Sequence, residues 1–146
     1  MKISNDTRNV LKNFSTINSG IRVKSGNKLE TISNMKNILA VATVNESFPQ
    51  DFSIYNLPEF LGATSLMSDP DFQFGDASLT VADNNSSLAY FYASEGMVTA
   101  PEKMITMPDA EIGIDISSTL LNELQKAASV LGVGDLVLSS DGTVIK

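Results

Sequence analysis

The feature that most constrains this chain is residues 2–26, where a helical pattern is followed at once by the pattern of a strand. Apolar side chains recur there at the spacing of one helix face: Val10, Leu11, Phe14 and Ile17. Ser4 is suited to cap the helix, and Arg8 and Lys12 fall one turn apart near the opposite side. The sequence therefore predicts a short strand around Ile3 and then a helix with a basic outer face.

The helix is predicted to break at residues 18–20, before a strand that alternates apolar and basic side chains. Ile21 and Val23 would occupy one face of this strand, and Arg22 and Lys24 the other. A strand with one apolar face and a helix with an apolar stripe can share one core. The opening of the chain thus indicates an α+β fold in which a helix covers a sheet.

Composition excludes several classes of function. The 146 residues include no cysteine and no histidine, which removes disulfide frameworks, the usual zinc sites and the commonest catalytic base. The sequence contains no Walker motif, so we expect no ATP hydrolysis. No apolar run approaches the roughly 20 residues that cross a bilayer. We therefore expect a protein that is not an enzyme, needs no cofactor or metal, and does not enter a membrane.

Charge is distributed unevenly along the chain, although its net value is −7. Residues 1–36 carry seven Lys or Arg against two acids, a balance of +5, and the other 110 residues carry three bases against 15 acids, a balance of −12. One interpretation is a basic surface on an acidic body, and the other is an ordinary solvated charged face. Charge counts alone leave both open.

The middle of the chain predicts a second helix among several short strands. Asn56 and Glu59 have the spacing of a reciprocal helix cap, so a helix is predicted over residues 57–67, and its apolar residues on every side predict burial. A loop is predicted at residues 45–50. Strands are predicted at 29–32, 38–44, 52–55, 72–74, 79–82 and 88–93.

The pattern of the opening segment recurs after residue 110. An alternating strand is predicted at residues 112–116, followed by a cap at Ser117, a helix with a leucine-rich face that stops at Gly132, and a strand at 136–138. We interpret residues 1–93 as a first domain, 94–109 as a connector and 110–146 as the beginning of a second domain.

The connector is a candidate for binding partner proteins because it has an apolar side without a strict period. Its candidate contact residues are Met97, Val98, Pro101, Met104, Ile105 and Met107. Methionine side chains adapt to varied surfaces, which suits the docking of partner peptides. The alternative is a linker that only packs on its own sheet.

Many short stretches, in order and in register over almost the whole chain, resemble one protein family. The matching stretches, densest in the first 26 residues, are Met1-Lys2-Ile3-Ser4, Asp6-Thr7, Leu11-Lys12-Asn13-Phe14, Thr16-Ile17-Asn18-Ser19-Gly20-Ile21, Lys24-Ser25-Gly26, Ile54-Tyr55-Asn56-Leu57, Phe60-Leu61-Gly62, Ala100-Pro101 and Met107-Pro108. In these positions the chain is similar to the sliding clamps of T-even-type bacteriophages, the processivity factors of the phage DNA polymerase. The resemblance implies the DNA-clamp fold, with antiparallel sheets outside and helices on the inner face of a ring of three subunits.

The resemblance also implies where the ring would contact DNA and what its partners would be. The predicted DNA-facing residues are Arg8, Lys12, Lys126, Asn5 and Lys2. Arg22 and Lys24 are further candidates if their strand turns their side chains toward the DNA, and the sequence leaves that orientation open. Contacts of this kind with phosphate are blind to sequence and weaken with salt. The implied partners are double-stranded DNA, the phage DNA polymerase and the clamp loader, in the cytoplasm of the infected host cell, with a further part in late transcription.

The chain stops at the first hairpin of the expected second domain, and a helix with two strands cannot close a core alone. We therefore expect the carboxy-terminal portion to pack on its own first domain or on a neighbouring chain. The competing hypothesis is a self-associating α+β structural or assembly protein that never meets nucleic acid. Stimulation of a polymerase that depends on loading onto primed DNA separates the two hypotheses.

Overall fold

The computed structural model describes residues 1–94, 96–103, 109 and 113–143. The chain divides into two compact units, residues 1–104 and residues 105–146. The described elements are α1 (Asn5–Ile17), β1 (Ile21–Val23), β2 (Gly26–Ile32), β3 (Leu39–Phe48), β4 (Phe52–Ile54), α2 (Leu57–Ser65), β5 (Asp71–Phe74), β6 (Ser78–Ala82), β7 (Ser87–Phe91) and α3 (Ser118–Leu131). Helices and strands are mixed along the chain, which confirms the predicted α+β class.

Every strand pair among the described residues is antiparallel. β1 pairs with β4, β2 pairs with β3, and β6 lies between β5 and β7. The amino terminus lies beside β5, because Met1 and Phe72 exchange two backbone hydrogen bonds of 2.8 Å each. The strand predicted around Ile3 is wrong, since residues 1–4 form no regular strand. Ile3 nevertheless contributes a buried side chain to the core.

α1 forms where the sequence predicts it and covers the strands through its apolar face. The Thr7 N–H donates to Ser4 Oγ at 3.3 Å, which confirms the predicted cap. Leu11 and Phe14 are buried, and the helix packs against α2, β2 and β3. The predicted seal between the first helix and the strands behind it is therefore present.

A single apolar core joins the helices and strands of the first unit. Its buried members are Ile3, Leu11, Phe14, Ile21, Val23, Leu29, Val44, Phe48, Phe52, Ile54, Leu57, Phe60, Phe72, Leu79 and Val81. Burying each such side chain contributes about 1.5–3 kcal/mol to folding. The first unit thus has enough buried surface to hold its helices in fixed positions.

Two predicted boundaries in the middle of the chain are wrong. β3 continues to Phe48, so the predicted loop at 45–50 begins only after that residue. The alternation of burial explains the error, because Val44 and Phe48 both reach the core from a strand that looked polar. α2 ends at Ser65. It buries Leu57, Phe60 and Thr64 and exposes Gly62 and Ser65, so the helix is buried on one side and not all round.

The second unit contains a well-capped helix whose apolar face is exposed. The Leu120 N–H donates to Ser117 Oγ at 3.2 Å, and Gly132 ends α3 with φ of 68°, as predicted. No described residue of α3 is buried, and Leu131 is 74% exposed. The face that the sequence predicted to be apolar is therefore open to solvent along the described helix.

The strands predicted on either side of α3 are wrong within the described residues. Residues 113–117 and 136–138 form no strand, and residue 112 lies outside the described residues. A strand needs a neighbour that takes up its backbone donors and acceptors. In the described part of this unit, Ser140 is the one residue in a β-bridge, so the alternating pattern has little to pair with.

Candidate functional site

Arg8 and Lys12 lie together on the solvent side of α1. With Asn9 they line one wall of a shallow groove of about 120 Å³, whose other wall is formed by Leu61, Thr64 and Ser65 of α2. The Lys12 side chain is exposed and Arg8 is half-buried. The Arg8 Nε atom is buried without a hydrogen-bond partner among the described residues. The structure thus brings two of the predicted DNA-facing residues into one groove that can accept an anion.

The amino-terminal end of α1 is held by a carboxylate from β3. Glu46 accepts a hydrogen bond of 2.5 Å from the Ser4 N–H and another from the Thr7 hydroxyl. Burial raises the pKa of Glu46, but the hydrogen bonds from Thr7 and Ser4 outweigh it and bring the pKa down to about 2. The group is therefore charged at neutral pH, at the helix end where the backbone dipoles favour a negative charge. This contact fixes the helix that carries Arg8.

Three other predicted DNA-facing residues lie outside this groove. Asn5 is exposed in the first turn of α1. Lys2 instead pairs with Asp69, with 2.7 Å between Nζ and Oδ2, and it also donates to the Asp69 backbone carbonyl. Lys126 is exposed on α3 in the second unit. That Asn5, Lys2 and Lys126 face DNA stays a prediction.

The beginning of the connector is anchored to the turn between α1 and β1. Asn18 donates from its side-chain amide to the Thr99 carbonyl at 3.0 Å and to the Ile32 carbonyl at 2.8 Å. Val98 is buried against Gly20, where an added Cβ would lie 3.0 Å from Val98 Cγ1. The side chain of Val98 therefore secures the connector to its own domain and is not presented to a partner.

The remaining predicted connector contacts divide into two groups. Met97 is 59% exposed, and Pro101 is half-buried at the edge of a cleft. Met104, Ile105 and Met107 lie outside the described residues. The part of the connector that the structure describes thus offers one exposed methionine to a partner.

Comparison with known proteins identifies the family of this chain. The model of the DNA polymerase processivity factors matches residues 4–99, which is more than half of the chain. The chain belongs to this family of DNA polymerase processivity factors. Membership confirms the resemblance drawn from the sequence and, with the mixture of helices and antiparallel strands, the expected DNA-clamp fold.

Curated members of the family align with nearly all of this chain. The sliding clamp of Vibrio phage KVP40 is 33% identical over 145 residues, which are 97% of this chain and 66% of that protein. The sliding clamp of Enterobacteria phage T4 is 33% identical over 148 residues, 99% of this chain and 65% of the relative. The sliding clamp of Escherichia phage RB69 is 30% identical over 149 residues, with 99% and 65% covered. The chain thus spans just under two thirds of the length of these relatives.

Sequence reasoning missed a second positively charged site in this family member. Arg22, Lys24 and Lys28 line a cleft of about 280 Å³ together with Lys103 of the connector, and we call it the basic cleft. The burial of Ile21 and Val23, each 1% exposed, decides the orientation that the sequence left open and places Arg22 on the face away from the core. Lys103 joins the cleft through tertiary structure alone, because it lies far along the chain from the strands it meets.

Two acidic residues near the start of β5 have separate partners in the fold. Asp69 pairs with Lys2, and Asp71 accepts a hydrogen bond of 2.6 Å from the Met1 amino group. That bond is the main cause of the lowered pKa of Asp71. In the part of the chain that the structure describes, no three acidic side chains are placed to hold a metal ion, and no helix is long and apolar enough to cross a membrane.

Proposed function

We propose that this chain acts within a sliding clamp that encircles duplex DNA without sequence specificity and tethers a phage DNA polymerase. The observation that carries the proposal is the convergence of Arg8 and Lys12 on the solvent side of α1, in one groove with α2. The opposite side of α1 is sealed by Leu11 and Phe14, so the helix that carries the two cations is held in place. Family membership and the name shared by the relatives support the same function.

The chemistry of this surface suits weak contact with the phosphate backbone. The buried face of α1 holds its aromatic residue, Phe14, so base stacking has no platform on the outer side. Two cations that neutralise two phosphates give a salt dependence of about −1.8 log units of affinity per log unit of salt. The net charge of −7 repels DNA from the rest of the protein. Topological linkage to the duplex would supply the retention that such contacts cannot.

The proposal includes the assembly that the resemblance implies. Residues 1–93 would form the first clamp domain, 94–109 the connector and 110–146 the start of a second domain, in a ring of three subunits. Asn5 and Lys126 would add to the DNA-facing surface. The polymerase and the clamp loader would dock at the connector, with Met97 among their contacts. The assembly would act inside the infected host cell and would catalyse no reaction of its own.

A primer-extension assay with the polymerase and loader of the same phage tests the function. The protein should lengthen products on primed circular DNA when loading is allowed, and the effect should fall when a linear template lets the ring leave. Replacing both Arg8 and Lys12 by alanine should reduce stimulation about fivefold, because each exposed ionic contact is worth up to about 1 kcal/mol.

Lys36→Asn is the matched control for these losses of charge. Lys36 is exposed in the β2–β3 turn with φ of 58°, a conformation that asparagine tolerates. This variant should retain stimulation. A wild-type protein that gives no loading-dependent stimulation contradicts the proposed function and favours the assembly-protein hypothesis.

A further inference from the structure

We propose that the basic cleft binds an acidic segment of a protein partner. The inference deepens the proposed function by naming the chemistry of a partner contact, and it rests on that function for its biological role. The cleft is distinct from the α1 groove, since it is lined by Arg22 and Lys24 of the β1 segment, Lys28 of β2, and Pro101 and Lys103 of the connector.

The position of the basic cleft excludes it from the surface proposed to face DNA. Ile21 and Val23 belong to the same core as Leu11 and Phe14 of α1. Side chains alternate across a strand, so Arg22 projects from the face of β1 that lies away from that core. A duplex held against the outer side of α1 therefore does not reach Arg22. A small concave site of about 280 Å³ also suits a few side chains of a peptide better than the convex surface of a duplex.

Two buried hydrogen-bond donors at this site, one of them on Arg22 itself, have no partner among the described residues. A second hollow of about 210 Å³ shares Arg22 and Lys24 with the basic cleft and is also lined by Tyr92. Arg22 Nε and the Tyr92 hydroxyl are both buried without a hydrogen-bond partner among the described residues. Burial raises the pKa of Tyr92, so this hydroxyl keeps its proton and can donate. Buried donors without partners are rare, and a carboxylate is a ligand that accepts hydrogen bonds from donors of this kind.

The described acidic residues do not neutralise the charge around the cleft. Glu30 pairs with Lys28 at 2.7 Å, Asp51 accepts a 2.7 Å hydrogen bond from the Ser25 N–H, and Glu102 is exposed at the rim. No carboxylate of the described residues forms an ion pair with Arg22, Lys24 or Lys103. Four bases against three acids leave this surface positive on a chain whose net charge is −7. The complementary occupant is a segment rich in Asp or Glu.

Binding of a fluorescein-labelled hexaglutamate peptide, followed by fluorescence anisotropy at low salt, tests the inference. The wild-type protein should bind the peptide despite its negative net charge, with an affinity that falls as salt is added. Arg22→Gln should weaken binding about tenfold, because it removes a charge-assisted donor that lines both the cleft and the adjoining hollow. Lys103→Gln should weaken it about threefold, because Lys103 is exposed at the rim.

Lys36→Asn removes the same charge outside the cleft and should bind the peptide like the wild type. Thermal unfolding of each variant separates a loss of binding from a loss of folding, and Lys103→Gln keeps the test informative if Arg22→Gln is unstable. Equal binding by the Lys103→Gln and Lys36→Asn variants overturns the proposal. Displacement of the peptide by a short unlabelled DNA duplex at equal concentration also overturns it, in favour of nucleic acid.

This measurement contains neither polymerase nor loader, so its outcome is independent of the clamp assay. If the protein binds the peptide at Arg22 but gives no loading-dependent stimulation, the basic cleft is confirmed as a binding site and the proposed function is wrong. If the protein stimulates the polymerase but does not bind the peptide, the proposed function stands and the acidic-segment site is wrong.

Discussion

α1 and α3 begin in the same way and have opposite environments. Each has a serine cap that accepts a backbone hydrogen bond three residues on, from Thr7 to Ser4 and from Leu120 to Ser117. α1 buries its apolar face in the core of the first unit, whereas no described residue of α3 is buried. The comparison teaches that caps and periodicity specify a helix locally, and that burial depends on what the rest of the chain supplies.

The two helices also differ in the charge on their outer sides. When Ser117 is placed over Ser4, the positions of Arg8 and Lys12 are occupied by Leu121 and Gln125. Lys126 then falls at the position of Asn13, away from the basic pair. The second copy of the opening pattern therefore has the sequence signals of a helix, but it lacks the basic pair that lines the groove proposed to contact DNA.

The largest expected effect comes from truncating matched leucines on the two helices. Leu11 is 5% exposed, so Leu11→Ala should lower the free energy of unfolding of the first unit by about 3 kcal/mol. Leu124 superposes on Leu11 but is half-buried, and Leu124→Ala should cost less than about 1 kcal/mol. Urea denaturation followed by circular dichroism measures both values, and equal costs would contradict the contrast.

The second prediction concerns the carboxylate that holds α1. The pKa of Glu46 is about 2 in the folded chain against a usual value of 4.5. Because the folded pKa is the lower one, its stabilisation is complete above about 4.5 and is lost as the pH falls towards about 2. Glu46→Gln should cost about 1.5 kcal/mol near neutral pH, an amount reduced for solvent exposure.

Stability curves of the wild type and Glu46→Gln against pH check this prediction. The two curves should converge as the pH falls through that interval, because the wild type then loses the charge that the variant lacks. Parallel curves across the whole range would show that Glu46 does not hold the helix.

The smallest expected effect comes from the caps themselves. Ser4→Ala should cost about 1 kcal/mol, because the Thr7 N–H loses an acceptor in a helix that unfolds with the whole first unit. Ser117→Ala should reduce the helicity of α3, because the Leu120 N–H loses its acceptor. Residue-resolved chemical shifts of the two helices provide the measurement. Unchanged helicity of α3 in the Ser117→Ala variant would contradict the role of this cap.

The sequence by itself determined the features that depend on neighbours in the chain. The caps at Ser4, Asn56 and Ser117 and the stop at Gly132 all follow from residues within a few positions of one another. It also predicted that Arg8 and Lys12 share a helix face, because the period of a helix fixes which residues are adjacent.

Only the tertiary structure decided which faces are covered and which distant residues meet. It directed Arg22 away from the core, paired Lys2 with Asp69, buried Val98 against Gly20 and brought Lys103 to the basic cleft. It also left residues 113–117 without the strand that their alternation favours. The physical reason is the distance in sequence between partners. A helix cap is completed by residues within one turn of the chain, whereas burial, ion pairs and strand pairing require partners at any distance in sequence.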